Sequence, residues 1–317
     1  MQPISKRLNH AWRGKRVLVT GGSGFIGRHL VHALHEVGAQ VHLILRQPSP
    51  APACHQVYIG DLRQGTFVDN VVANSSPDVV FHLAASRARS LSREAFSEAI
   101  DINIIGSLNL LEGLSHTYGI KRVVMLGTAE EYGRGPVPFR EDVRESPVSA
   151  YSLSKICATH LAQVMAQTME LPVTVLRPSV AYGPGQREDM FLPALICALL
   201  RGERFPMTAG EQTRDFIYIA DLVEALCMAG LDNTTAGEVI NIGGGRATKI
   251  SDLVDKVELM TQSQGMARRG AVQYRPGEAM QYLLDISKAT RLLGWCPSTS
   301  LEQGLQQTVD WYRALNR

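Results

Sequence analysis

The stretch Thr20-Gly21-Gly22-Ser23-Gly24-Phe25-Ile26-Gly27 decides the fold. It closes Arg16–Thr20 (RVLVT), a short β-branched run that reads as a buried strand. It opens a segment from Phe25 to about Val37 in which Ile26, Leu30, Val31 and Leu34 recur on one helical face. Gly22-x-Gly24-x-x-Gly27 has the spacing of a dinucleotide-binding turn, and so does Gly21-x-x-Gly24-x-x-Gly27. A side chain at these glycines would block the tight turn and the approach of a pyrophosphate. The helix behind them aims free N–H groups and a positive dipole end at the phosphates. The stretch predicts a dinucleotide held on Gly21, Ser23, Gly24, Phe25, Ile26 and Gly27.

Working outward, short apolar runs alternate with helix-length segments. Val41–Leu45, Val57–Ile59, Val79–Ala84, Arg122–Leu126 and Val173–Leu176 read as further strands. Helices are expected from about Glu94 to Thr117 and over Ala150–Thr168. This alternation predicts an α/β fold of Rossmann type, a doubly wound parallel sheet with helices on both faces. After Arg177 the pattern changes: Pro178, Gly183, Pro184 and Gly185 mark a loop-rich boundary, followed by a smaller C-terminal α/β lobe for substrate.

Composition narrows the function classes. The 317 residues are too many for one compact core of typical size. A net charge of +2, with no Lys/Arg block, argues against nucleic acid as a partner. No apolar run approaches the roughly 20 residues that span a bilayer, so no membrane association is expected. The N-terminal MQPISKRLNHAWRG has no apolar centre and reads as a polar extension, not a signal peptide. Five cysteines without CxxC spacing fit reduced thiols in a cytoplasm better than disulfides or a metal site.

The second strand, VHLIL, ends at Arg46, and no Asp or Glu occurs from Val37 to Gly60. An acid there would bond a ribose 2′-hydroxyl and repel a 2′-phosphate, whereas a guanidinium grips the phosphate. NADP(H) is therefore expected over NAD(H), unless Arg46 is only a solvated strand-end charge. Asp61, after the third strand, either accepts from the adenine amino group or makes a local turn.

Tyr151-Ser152-Leu153-Ser154-Lys155 sets a tyrosine and a lysine four residues apart, on one helical face. The unperturbed phenol pKa of about 10 is too high for a base at neutral pH. A nearby ammonium is expected to lower it, letting Tyr151 pass a proton while hydride moves at the nicotinamide. Thr128 ends the fifth strand, at the sheet edge where ligands sit in such folds.

The combination resembles the extended short-chain dehydrogenase/reductase family of nucleotide-sugar epimerases, dehydratases and 4-ketoreductases. The likeness runs through TGGSGFIG, Gly60-Asp61-Leu62, HLAA at His82–Ala85 and Asn103-x-x-Gly106. It continues through GTAEEYG at Gly127–Gly133, YSLSK, LRPSVAYGPGQ at Leu176–Gln186 and RDFIYIADLVEA at Arg214–Ala225. NIGGG at Asn241–Gly245, RPGE at Arg275–Glu278 and LGW at Leu293–Trp295 complete it.

The resemblance implies Thr128, Tyr151 and Lys155 as catalytic triad. It adds Leu62, Leu83, Ala84 and Ala85 to the cofactor site, and Gln186, Arg214 and Arg275 to the grip on a nucleotide diphosphate sugar. It also implies that Phe216–Gly245 packs back on the first domain. The division is then residues 1–178 plus about 216–245 for NADP, and about 179–215 and 246–317 for the nucleotide sugar. A homodimer through the helices near Glu94–Thr117 and Ala150–Thr168 is implied as well.

Two residues depart from the family pattern. Val180 stands where an Asn contacts the diphosphate, and Ala129 stands where dehydratases carry Asp or Ser. Glu130 occupies the dehydratase base position, either in that role against the substrate or as a solvated strand-end carboxylate. The expected activity is NADPH-dependent reduction of the C4 ketone of a nucleotide-linked 4-keto-6-deoxy sugar. An epimerase or 4,6-dehydratase of the same family is the alternative. A non-catalytic NADP sensor is more remote, since the Tyr/Lys pair is kept.

Overall fold

The computed structural model describes residues 10–48, 53–274 and 278–315. The first half runs β1 (Arg16–Thr20), α1 (Phe25–Glu36), β2 (Gln40–Leu45), β3 (Gln56–Ile59), α2 (Gly65–Ser75), β4 (Val79–His82), α3 (Arg93–Ala99), α4 (Gly106–Ser115), β5 (Arg122–Leu126), α5 (Ala150–Thr168) and β6 (Val173–Pro178). The second runs β7 (Val180–Tyr182), α6 (Phe191–Leu200), β8 (Phe205–Pro206), β9 (Thr213–Tyr218), α7 (Ile219–Leu231), β10 (Val239–Ile242), β11 (Ala247–Lys249), α8 (Ile250–Thr261), β12 (Ala267–Arg268), α9 (Ser287–Leu293) and α10 (Leu301–Leu315).

Seven strands form one sheet in the order β10-β6-β5-β4-β1-β2-β3, and every neighbouring pair is parallel. Strands covered on both faces read as continuous apolar runs, which is why RVLVT and VVFH carry no alternation. Helices α1 and α7 cover one face, and α2, α4 and α5 the other. Chain order reverses between β1 and β4, so the crevice at their carboxyl ends is the ligand position of this architecture. The expected Rossmann-type doubly wound sheet is thus present.

Three local features differ from the sequence reading. The fourth strand stops at His82 rather than Ala84 because Thr20 bends the chain away: its carbonyl accepts from Leu83 N and its hydroxyl from Ala84 N, both at 3.2 Å. The helix expected from Glu94 to Thr117 is broken by a π-helical turn over Ile100–Ile105. There the buried Asn103 side chain accepts from Ser86 N at 2.7 Å and donates to Ser154 Oγ at 2.8 Å. Such a turn inserts a residue without disturbing apolar composition, so periodicity does not reveal it. The same helix ends at Ser115, two residues short of the expected Thr117.

The chain after β6 builds a smaller three-stranded sheet, β11-β9-β7, and the short pair β12-β8. It also returns β10 to the main sheet, with Val239 opposite Val175. One apolar core joins both parts: Val17, Leu30 and Leu43 belong to the same cluster as Leu195, Leu253 and Leu305. No helix among the described residues is long and apolar enough to cross a membrane.

Candidate active site

The β1–α1 turn is built on backbone contacts that only glycine permits. Gly21 has φ +72°, and a Cβ there would lie 2.7 Å from Ala84 N. A Cβ on Gly27 would lie 2.1 Å from the Gly21 carbonyl oxygen, so α1 can sit on the turn only without one. Gly24 caps α1 without a side-chain bond. Ser23 and Gly24 are exposed, and Phe25 and Ile26 are half-buried. The first N–H groups of α1 therefore have no side-chain cap, and the cradle suits a pyrophosphate. Leu83, Ala84 and Ala85 are half-buried across the crevice.

Arg46 is exposed just beyond β2. Asp61 is engaged within its own loop: Arg63 Nε donates to Oδ1 at 3.0 Å and Nη2 to Oδ2 at 2.6 Å. These bonds hold the Asp61 carboxyl below its ordinary range, and the nearby Arg46 charge adds to that. Leu62 is half-buried, its carbonyl accepting from Asn109 Nδ2 at 2.8 Å. Beneath the crevice, His82 bridges Thr20 Oγ1 at 2.7 Å and Ser107 Oγ at 2.9 Å. Burial holds its pKa down to about 3, so the ring is neutral.

Thr128, Tyr151 and Lys155 converge at the carboxyl end of β5, and all three are buried. Ser149 starts α5: its hydroxyl accepts from Ser152 N at 3.1 Å in a reciprocal cap, which aims the first turn at Thr128. The Thr128 side chain lies close enough to the Tyr151 phenol to favour its ionised form. The expectation of a lowered phenol pKa does not hold for the protein by itself. Burial pushes it up to about 12, Glu130 adds to the rise, and Arg89 and Thr128 oppose it. Lys155 shares the helical face, but its ammonium donates to the Leu126 carbonyl, and burial lowers its own pKa.

Two groups invisible to motif reading complete this centre. Arg89, from the segment between β4 and α3, holds Glu130 in a two-pronged ion pair, Nη2 to Oε1 at 2.6 Å and Nε to Oε2 at 3.1 Å. Its guanidinium lies 5.0 Å over the Tyr151 ring. Glu130 is therefore paired rather than free, with its side chain still partly exposed. Behind it, Glu131 is fully buried. Its Oε1 accepts from Thr128 N at 2.8 Å, and its Oε2 accepts from Thr159 Oγ1 at 2.9 Å and Arg177 Nε at 2.7 Å. The rule that ligands sit at strand carboxyl ends would have flagged Arg89, which follows β4. No local signal marks Glu131.

Two of the residues expected to hold a substrate diphosphate are engaged with the protein itself. Arg214, on β9, donates to the Ala279 carbonyl at 2.8 Å and pairs with Glu278. It lies 5.9 Å over the Tyr282 ring, and the Tyr282 hydroxyl donates to the Ala129 carbonyl beside Thr128. Gln186 turns its amide back to the Ala181 carbonyl at 3.1 Å. Val180 is exposed on β7. Arg275 lies outside the described residues.

Comparison with known proteins agrees with this arrangement. The model of the NAD dependent epimerase/dehydratase family matches residues 17–243. The dTDP-glucose 4,6-dehydratase of Neisseria meningitidis is 32% identical, covering 94% of this chain and 93% of its own. The UDP-glucose 4-epimerase of Thermotoga maritima, solved with UDP-glucose, superposes with a TM-score of 0.87 at 30% identity, over 95% of this chain and 99% of its own. The UDP-glucuronic acid 4-epimerase of Bacillus cereus, in complex with UDP-glucuronic acid and NAD, superposes with a TM-score of 0.85 at 31% identity, over 94% and 99%. This chain belongs to the NAD dependent epimerase/dehydratase family and is an NAD(P)-dependent enzyme.

Proposed function

We propose that the enzyme reduces the C4 ketone of a nucleotide-linked 4-keto-6-deoxy sugar, drawing on NADPH. The observation that carries this reading is the Arg89–Glu130 ion pair beside Ala129. A carboxylate tied to a guanidinium by two bonds is a poor base for abstracting a sugar proton, and Ala129 has no proton to give. Dehydration thus lacks its acid and its base, while the groups for hydride exchange at C4 remain.

In this reading the glycine turn and the first turn of α1 bind the pyrophosphate, Arg46 takes the 2′-phosphate, and Leu62, Leu83, Ala84 and Ala85 line the dinucleotide's path. The bound NADPH supplies the hydride. Thr128 holds the C4 oxygen by a hydrogen bond, and Tyr151 donates its phenolic proton to that oxygen as the carbonyl is reduced. Lys155 fixes the end of β5 and lends positive charge to the phenolate left behind. A phenol with a pKa near 12 is fully protonated at neutral pH, the form that reduction requires. Arg214, Arg275 and Gln186 receive the diphosphate, with Glu278 giving up Arg214 to the phosphate.

The 4-epimerases that superpose on this chain support a second reading, internal oxidation and re-reduction at C4 with the same three residues. Spectrophotometric turnover separates the two. NADPH oxidation with 4-keto-6-deoxy sugar nucleotides of each common base is expected, and is abolished in Tyr151→Phe. Interconversion of 4-hydroxy epimers without net NADPH oxidation would favour the epimerase.

The same proposal divides the chain into an NADP part, 1–178 plus about 216–245, and a sugar-nucleotide part, about 179–215 and 246–317. It takes the enzyme to be a cytoplasmic homodimer. Ile100, Ile105, Leu153 and Val164 are exposed apolar residues on the two helical spans expected to pair, which supports that association.

A further inference from the structure

Several charged or titratable groups face the Tyr151 phenol. Glu130 and Glu131 come from the turn after β5 and Arg89 from the segment after β4, while Lys155 lies one turn further along the same helix as Tyr151. Tyr282 and Arg214 stand one layer further out. Most are committed elsewhere. Glu131 is consumed by Thr128 N, Thr159 and Arg177, Lys155 by the Leu126 carbonyl, and Arg214 by Glu278. Arg89 is different: its guanidinium sits on the tyrosine ring, 5.0 Å from the centroid, while Glu130 pairs with it. A cation on an aromatic face is attracted by the ring quadrupole, and more strongly once the ring carries a phenolate.

We propose that Arg89 is a positioning residue of the reaction: seated on the Tyr151 ring by Glu130, it sets the acidity of the proton-donating phenol. The inference rests on the reading of Tyr151 as the proton donor. It assigns Glu130 a role distinct from substrate base, that of anchor and counter-charge to Arg89. The two residues act on the phenol with opposite sign, Glu130 raising its pKa and Arg89 lowering it.

The test is a cycle of Arg89→Met, Glu130→Gln and the double variant, read in two ways. One is the pH profile of hydride transfer from NADPH. The other is the 19F NMR titration of fluorotyrosine placed at position 151 in the cofactor-free protein. Arg89→Met removes the cation and leaves the Glu130 anion unpaired, so the phenol titration moves up by about one unit. Glu130→Gln removes the anion but keeps an amide oxygen that accepts from Arg89, so the cation stays on the ring, the titration moves down by about one unit, and the alkaline limb of the rate profile moves with it. The double variant returns close to the parent value.

Single variants that lower the rate but leave both titrations where they were, or move them in the same direction, overturn the inference. If Glu130→Gln abolishes turnover at every pH with the 19F titration unmoved, Glu130 is a catalytic base and the inference fails. Failure of the underlying reading looks different: Tyr151→Phe would keep its hydride-transfer rate.

Discussion

Arg177 and Glu131 form a buried ion pair beneath the turn that carries Thr128, with Nε donating to Oε2 at 2.7 Å and side-chain exposures of 1% and 0%. Arg177 also donates to Glu145 at 2.7 Å and lies 4.8 Å over the Tyr132 ring. The other oxygen of Glu131 holds the Thr128 amide. The pair thus fixes the turn on which Thr128 is presented. Arg177→Met strands the buried Glu131 carboxylate and should cost about 3–5 kcal/mol of stability, whereas Glu131→Leu leaves Arg177 its Glu145 partner and should cost less. The double replacement should recover much of that loss in urea unfolding while still lowering kcat, because Thr128 loses its anchor.

Gly27 allows α1 to rest on the turn. Gly27→Ala sets a methyl group 2.1 Å from the Gly21 oxygen, and the obstacle is backbone that cannot swing aside. The expected outcome is a loss of about 1–3 kcal/mol in thermal or urea unfolding. Binding of NADPH and of NADH should weaken together, as measured by quenching of tryptophan fluorescence, because the pyrophosphate site is common to both.

His82 predicts a pH dependence with a definite sign. Its pKa is held at about 3 in the folded chain against 6.5 ordinarily, so the unfolded chain binds the extra proton between those values. Its contribution is present above pH 6.5 and is lost as pH falls towards 3, by up to about 1.4 kcal/mol per pH unit. Asp215, raised by burial to about 6, works in the opposite direction. The parent should therefore be compared with His82→Asn. The variant is less stable at neutral pH, and its stability falls less steeply on acidification.

The legible parts of the sequence were those with local periodicity or local backbone demands. The parallel sheet follows from apolar runs such as RVLVT and VVFH, and the cradle from Gly21, Gly24 and Gly27. What was not legible depends on register between distant strands. Arg89 meets Glu130 across 41 residues, Arg177 meets Glu131 across 46, and Arg214 meets Glu278 across 64. Each reads as an ordinary exposed charge until the sheet order brings its partner alongside. The phenol of Tyr151 is a related case. Spacing put Lys155 on its face, but burial and the Glu130 charge raise the phenol pKa.

In the proposed reading Arg46 sets the preference for NADPH. If it bonds the 2′-phosphate, Arg46→Ala weakens NADPH binding about tenfold to a hundredfold, the worth of one charged hydrogen-bonded contact. NADH binding stays as it was. Equal weakening of both, followed by fluorescence titration, would mean that Arg46 serves the turn rather than the phosphate.

The most direct test of the central claim is isotope transfer. NADPH deuterated at the transferring position is incubated with the enzyme and a 4-keto-6-deoxy sugar nucleotide, and the product is analysed by mass spectrometry and NMR. Reduction by Tyr151, Thr128 and Lys155 at C4 predicts one deuterium per product, located at C4, and none with Tyr151→Phe. A product without deuterium, or deuterium at any other carbon, would contradict it.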